Sequence, residues 1–168
     1  MITLNPLPAS TGRVTCINKE RRWLFIRDDN RPQEVFLPRN EWRGSEAEWA
    51  ALKIDDRLRY RVALNHRIPN RFLAVLAVPE NAGGRWSDDP VTVDPREALT
   101  GRVISWWPER QYGFLREDRS GRELYFQIAE VPEALRDRIR TGARVIFRLE
   151  EDLARPGRIQ AVSVRPAA

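Results

Sequence analysis

Tyr112-Gly113-Phe114 sets two aromatic rings two residues apart around a glycine. On an extended backbone successive side chains point to opposite faces, so both rings share one face and Gly113 and Leu115 share the other. With Leu115 and Val103 filling a core, Tyr112 and Phe114 face solvent. The inverted facing would expose Leu115 and leave Gln111 and Gly113 flanking the core alternation. Paired outward aromatics have no stability rationale. They do form a platform for unpaired bases, each stacked base contributing about 1–3 kcal/mol. Tyr125, on the neighbouring strand, extends that platform. Earlier in the chain Trp23 and Phe25 form the same outward pair around Leu24, with Phe36 on the next strand and Arg21 and Arg22 just before them.

Other chemistries find few residues to use. His66 and Cys16 are the only histidine and cysteine, so neither a His/Cys zinc site nor an internal disulfide can form. A Ser-His-Asp triad has only His66 to draw on, and His66-Arg67-Ile68-Pro69 reads as a solvent-facing turn. The acidic groups Asp28-Asp29, Asp55-Asp56 and Glu150-Glu151-Asp152 fall at strand ends, where turn solvation explains them better than Mg²⁺. There is no phosphate-cradling glycine loop of the P-loop or G-x-G-x-x-G kind. The expectation is a protein that is not an enzyme and uses no metal and no cofactor.

The elements that must hold these rings come in two copies. Thr11-Gly12-Arg13-Val14 recurs as Thr100-Gly101-Arg102-Val103, Leu24 to Asp29 as Gly113 to Asp118, and Glu34 to Leu37 as Glu123 to Phe126, all at one offset. After a two-residue deletion, Arg57-Leu58-Arg59-Tyr60 matches Arg144-Val145-Ile146-Phe147, and Ala74-Val75 matches Ala161-Val162. A shared offset across separated segments marks a duplication.

In the second copy, residues 101–107, 111–116, 122–128, 143–150 and 158–164 are rich in β-branched, aromatic and alternating residues and read as strands. Pro132 opens a helix-like stretch to Ile139. In the first copy Ser45 to Lys53 takes that place, with Ser45 and Glu48 in a capping-box pattern. Three strands, a short helix and two strands is the order of a five-stranded OB-type barrel. The expected class is all-β: barrels over residues 10–78 and 99–166, each with a short helix between its third and fourth strands, joined by an acidic linker over 79–98. The linker contains Gly83-Gly84 and three prolines. Trp86 within it is expected to pack against a barrel.

The net charge is +5, and Lys19 and Lys53 are the only lysines among 29 basic residues. Arginine pairs bidentately with phosphate and stacks on bases, although a GC-rich genome would produce the same bias. No apolar run approaches the roughly 20 residues that span a bilayer. The first ten residues lack the charged start and apolar stretch of a signal peptide. Cytoplasmic residence without membrane association is the expectation.

Gly101 to Leu115, followed by Leu124-Tyr125-Phe126-Gln127-Ile128, resembles the bacterial cold-shock family's G-x-V-K-W-F-N-x-x-K-G-F-G-F-I and V-F-V-H-F motifs over most of residues 100–165. The resemblance implies a base-stacking role for Tyr112, Phe114 and Tyr125. Arg110 stands where the family has a phosphate-contacting lysine. Gln127 replaces a histidine and can hydrogen-bond a base edge. Without gaps, the family's tryptophan and phenylalanine fall on Ser105 and Trp106; a strand bulge would instead align them with Trp106 and Trp107. Either way an indole lies beside the platform. The first copy departs further, with Cys16-Ile17 at the tryptophan–phenylalanine pair and Pro38 at the histidine. The resulting expectation is a binder of single-stranded RNA or DNA, RNA placed ahead of DNA, acting as an RNA chaperone or a regulator of translation or transcription. The alternative is a protein-interaction adaptor in a ribonucleoprotein or regulatory complex, docking through the barrels and the N-terminal one in particular.

Overall fold

The computed structural model describes residues 1–65, 67–82 and 86–167. The expected turn at His66 and the Gly83-Gly84 pair lie outside them. The chain divides into two units, one of residues 7–88 and one of residues 1–6 with 89–168. Its strands are β1 (Ile2–Leu4), β2 (Ala9–Asn18), β3 (Trp23–Asp28), β4 (Glu34–Pro38), β5 (Arg57–Leu64), β6 (Phe72–Pro79), β7 (Val91–Val93), β8 (Leu99–Trp107), β9 (Tyr112–Glu117), β10 (Glu123–Gln127), β11 (Arg144–Glu151) and β12 (Ile159–Pro166). Among the described residues the one α-helix, α1 (Glu46–Ala51), falls between β4 and β5.

In the first barrel the strands close in the order β2-β3-β4-β6-β5, with β4 and β6 parallel. Period-two alternation turns Val14, Leu24, Ile26, Val35, Leu37 and Leu58 inward, all fully buried. Ser45 caps α1: its hydroxyl accepts from the Glu48 N–H while the Glu48 carboxylate accepts from the Ser45 N–H. The helix buries Trp49 edge-on against Trp42, centroids 5.8 Å apart. Trp86 rests on this barrel between Arg59 and Arg61.

The second barrel repeats the plan as β10-β12-β11-β8-β9, with β10 and β12 parallel. Its core holds Val103, Leu115, Leu124, Phe126, Val145, Phe147 and Val164. The expected all-β class with two five-stranded barrels therefore holds. The helix expected from Pro132 is a 3-10 segment, Glu133–Arg138, with Pro132 in extended conformation at its cap. No side chain caps it, and six residues do not sustain an α-helix without one.

The duplication extends to backbone irregularities. Left-handed residues recur in pairs along the two copies: Arg22 with Gln111, Asp55 with Gly142, Asn70 with Gly157, and Leu76 with Ser163. Bulges fall between Val14 and Cys16 in β2 and between Val103 and Ser105 in β8. Gly12 and Gly101 are the close-approach points, because a Cβ at either would meet the carbonyl oxygen of the facing strand at 2.4 Å and 2.3 Å. The Thr11 hydroxyl donates to Asp29 at 2.6 Å and that of Thr100 to Asp118 at 2.8 Å; Arg57 and Arg144 respectively bind the same carboxylates. The Arg57 guanidinium, then the Thr11 hydroxyl, hold the Asp29 carboxyl below its usual range.

The stretch expected as a linker contains a strand of its own. β7 pairs antiparallel with β1, bringing Ile2 against Val93 and Leu4 against Val91. Leu4 and Val93 are buried in the second barrel's core, while Thr3 and Thr92 face out with their hydroxyls 3.2 Å apart. The start of the chain thus completes the C-terminal unit. Truncating a buried leucine costs about 2–5 kcal/mol. Leu4→Ala is therefore expected to destabilise the β8–β12 barrel by about that amount and leave the β2–β6 barrel unchanged. Amide hydrogen exchange, resolved by strand, separates the two.

Candidate nucleic-acid interface

The β8 bulge decides which side chains reach the outer face. Val103 pairs with Leu115; past the bulge Ser105 pairs with Phe114, Trp106 with Gly113 and Trp107 with Tyr112. On the other side of β9, Tyr125 pairs with Phe114 and Gln127 with Tyr112. Leu115, Leu124 and Phe126 face inward and are buried. Trp107, Tyr112, Phe114 and Tyr125 face outward and are half-buried against one another. Centroid separations are 5.3 Å for Trp107–Tyr112, 6.3 Å for Trp107–Phe114, 6.0 Å for Tyr112–Phe114, 5.7 Å for Tyr112–Tyr125 and 5.8 Å for Phe114–Tyr125. Most of these contacts are tilted or edge-on, the geometry aromatic quadrupoles favour.

The turn into β9 is pinned at both ends. The 3-10 segment Pro108–Arg110 ends on left-handed Gln111, whose N–H donates to the Pro108 carbonyl at 3.1 Å. The Gln111 carbonyl accepts from the Ile128 N–H at 2.9 Å, tying the turn to the end of β10. Arg110 on this turn and Gln127 on β10 are exposed.

Trp106 is not on the platform. Its indole stacks on buried Phe126, with centroids 5.4 Å apart and planes within 8°. A Cβ on Gly113 would lie 2.8 Å from that indole and 2.6 Å from the Ser105 carbonyl oxygen. Gly113 is thus the gap that lets Trp106 cross β9. The bulge shifts the facing by one residue, so Trp107 alone of the two joins the outward rings. A further group, Arg158, was not among the expected site residues; its guanidinium lies 4.8 Å over the Tyr125 ring. Arg158 is sequence-distant from the aromatic motifs, and only the parallel β10–β12 pairing brings it to Tyr125.

The first barrel carries a smaller cluster. Trp23, Phe25 and Phe36 face outward with centroids 5.4, 6.1 and 5.5 Å apart. Asn18 occupies the place of Trp107, opposite Trp23, so the fourth ring is absent. Behind the cluster Ile17 pairs with buried Leu24, where the second barrel pairs Trp106 with Gly113. Two medium aliphatic residues take the place of one large residue and a glycine, which roughly conserves the pair's bulk. Pro38 lies opposite Trp23, where the second barrel has Gln127 opposite Tyr112. Arg22 is left-handed and ion-paired with Glu46 at 3.0 Å, while Arg21 is exposed. Glu46 also binds Arg39, and that hydrogen bond is the main reason its carboxyl lies below its usual range. Among the described residues no group of three His, Cys, Asp or Glu could hold a metal ion, and no helix is long and apolar enough to cross a membrane.

No family model matches the chain, and no curated protein matches it. Solved structures similar to it include Drosophila Unr CSD456, at 16% identity and a TM-score of 0.37 over 96% of this chain and 63% of that one. Another is a multidomain protein with nucleic acid binding domains from Streptococcus pneumoniae, at 18% identity and a TM-score of 0.35 over 94% of this chain and 45% of that one. A third is yeast Ssd1, a pseudonuclease, at 8% identity and a TM-score of 0.33 over 94% of this chain and 22% of that one. This chain spans less than two thirds of the length of each.

The two tryptophans have opposite duties, and stability separates them. Trp106→Ala empties the space against Phe126 and is expected to cost about 2–4 kcal/mol, somewhat less than a fully buried aromatic. Trp107→Ala removes an outward ring and is expected to cost under about 1 kcal/mol. Chemical denaturation of both variants checks the order.

Proposed function

We propose that the chain binds single-stranded nucleic acid on the outer face of its C-terminal barrel, without catalysis. The observation that carries this reading is the outward cluster of Trp107, Tyr112, Phe114 and Tyr125 with Arg158 over one edge. Unpaired bases stack on the rings, which is sequence-tolerant because every base has a π face. Arg110 and Arg158 neutralise phosphates, and Gln127 hydrogen-bonds a base edge. These faces serve RNA and DNA alike. A protein that covers unpaired bases opposes local pairing, the physical basis for acting as an RNA chaperone or as a regulator of translation or transcription.

The N-terminal barrel contributes less in this reading. It has three rings in place of four, and Arg22 is held by Glu46. These same features favour a protein partner for that barrel: a compact apolar patch rimmed by engaged charges suits a protein surface better than a phosphate chain.

Two outcomes follow. Phe114→Ala should weaken binding of an unpaired oligonucleotide by about 5- to 150-fold, corresponding to about 1–3 kcal/mol, and Phe25→Ala by visibly less. Fluorescence titration beside thermal unfolding checks this without confusing lost binding with lost fold. The affinity should also fall with salt, log affinity against log salt sloping by about −0.7 for each phosphate neutralised. Affinity independent of salt would mean that the arginines do not contact phosphate.

A further inference from the structure

The duplication sets one face of the second barrel beside a covered counterpart in the first. In the first barrel, the outer face of β5 and β6 is covered by residues that follow β6 in the chain. Trp86 lies between two guanidinium groups, 5.0 Å from that of Arg59 and 5.1 Å from that of Arg61. Arg61 donates to the Ser87 carbonyl at 2.9 Å and lies 3.4 Å from the Asp88 carboxylate. Arg61 also donates to the Leu7 carbonyl at 2.9 Å, and it is only 3% exposed. An aromatic residue followed two positions later by an acid thus closes this face.

The equivalent face of the second barrel is an open groove on β11 and β12, across the ring of strands from β9. Registers correspond: Arg59 opposite Val78 becomes Ile146 opposite Arg165, and Arg61 opposite Val75 becomes Arg148 opposite Val162. The arginine of the first pair has moved to the facing strand, so the face keeps two arginines and an aliphatic side chain. Arg148 and Arg165 are exposed where Arg61 is buried, and Arg96 adds a third exposed cation at the rim. The groove's one acid, Glu130, is engaged by the Ser163 N–H at 2.9 Å. Arg148 is held toward the groove by a 2.9 Å bond to the Ser163 hydroxyl.

We propose that this groove is a docking site for an extended acidic peptide segment carrying an aromatic residue, of the kind the first barrel already binds within its own chain. The aromatic ring sits on Ile146 between Arg148 and Arg165, and the following acid meets Arg148. The site lies apart from the aromatic platform, so it leaves that face open and stands or falls independently of nucleic-acid binding.

A fluorescein-labelled peptide copying residues 80–90 of this chain, titrated into the full chain and followed by anisotropy, tests this. Saturable binding is expected. Replacing the peptide's tryptophan by alanine, or both aspartates of the Ser-Asp-Asp run by asparagine, should weaken it by about tenfold or more, as should Arg148→Glu or Arg165→Glu in the protein. The two protein variants should bind an unpaired oligonucleotide within about twofold of the parent, since the two faces are separate. That second titration also reports that the barrel is folded. Absence of saturable peptide binding would overturn the proposal, as would binding that survives both arginine variants. Arginine variants that lose oligonucleotide as severely as a platform variant would overturn it too, and would make the groove a phosphate track.

Discussion

Leu115 is fully buried between Val103 and Leu124, and this placement sets the orientation of everything around it. Because side chains on a strand alternate, burying Leu115 turns Phe114 out and Gly113 in; a slip of one residue would reverse both. Tyr112, two residues before Phe114, must then share the outer face, and Tyr125, opposite Phe114, must join it. The bulge ahead of Ser105 moves the facing of β8 by one residue, which sends Trp106 inward and Trp107 outward. The outward cluster is therefore a consequence of core packing and strand register, held by the same contacts that hold the barrel.

Two copies of one frame have diverged around that constraint. Four left-handed positions, the bulges, the close-approach glycines and the threonine–aspartate–arginine contacts are common to both barrels, so most of the backbone frame is shared. The differences that bear on binding lie on the outer faces and just behind them. The first barrel has Asn18 where the second has Trp107, and fills the space behind its rings with Ile17 and Leu24 in place of Trp106 and Gly113. Conversely, the first barrel's β5–β6 face is closed by Trp86 to Asp88, while the corresponding arginines of the second are exposed. The second barrel thus keeps open both of the faces that the first has reduced or covered.

The barrels were legible in the sequence because period-two patterning and a constant offset reinforce each other over strands of five to ten residues. The outward positions of Tyr112, Phe114 and Tyr125 followed from the same alternation. β1 and β7 were not legible: Ile2–Leu4 and Val91–Val93 are three residues each, too short for a periodicity, and their pairing joins the chain's start to a stretch rich in proline and acid. Trp106 and Trp107 could not be told apart, because adjacent residues exchange faces at a bulge and nothing local in Val103-Ile104-Ser105 marks one. Arg158 was not legible because its partner Tyr125 is reached only through a parallel pairing between strands far apart in sequence. The tighter 3-10 form of Glu133–Arg138 reflects a missing cap, whereas Ser45 and Glu48 announced α1.

On the proposed reading, unpaired bases sit on the four outward rings of the C-terminal barrel. That placement is tested most directly by nuclear magnetic resonance of the aromatic side chains of the full chain as a short unpaired oligonucleotide is added. Ring-proton resonances of Trp107, Tyr112, Phe114 and Tyr125 are expected to shift together and saturate at one stoichiometry, while those of Trp106 and Phe126 move far less. Saturable binding that leaves those four rings unmoved, or no binding at low salt, would contradict it.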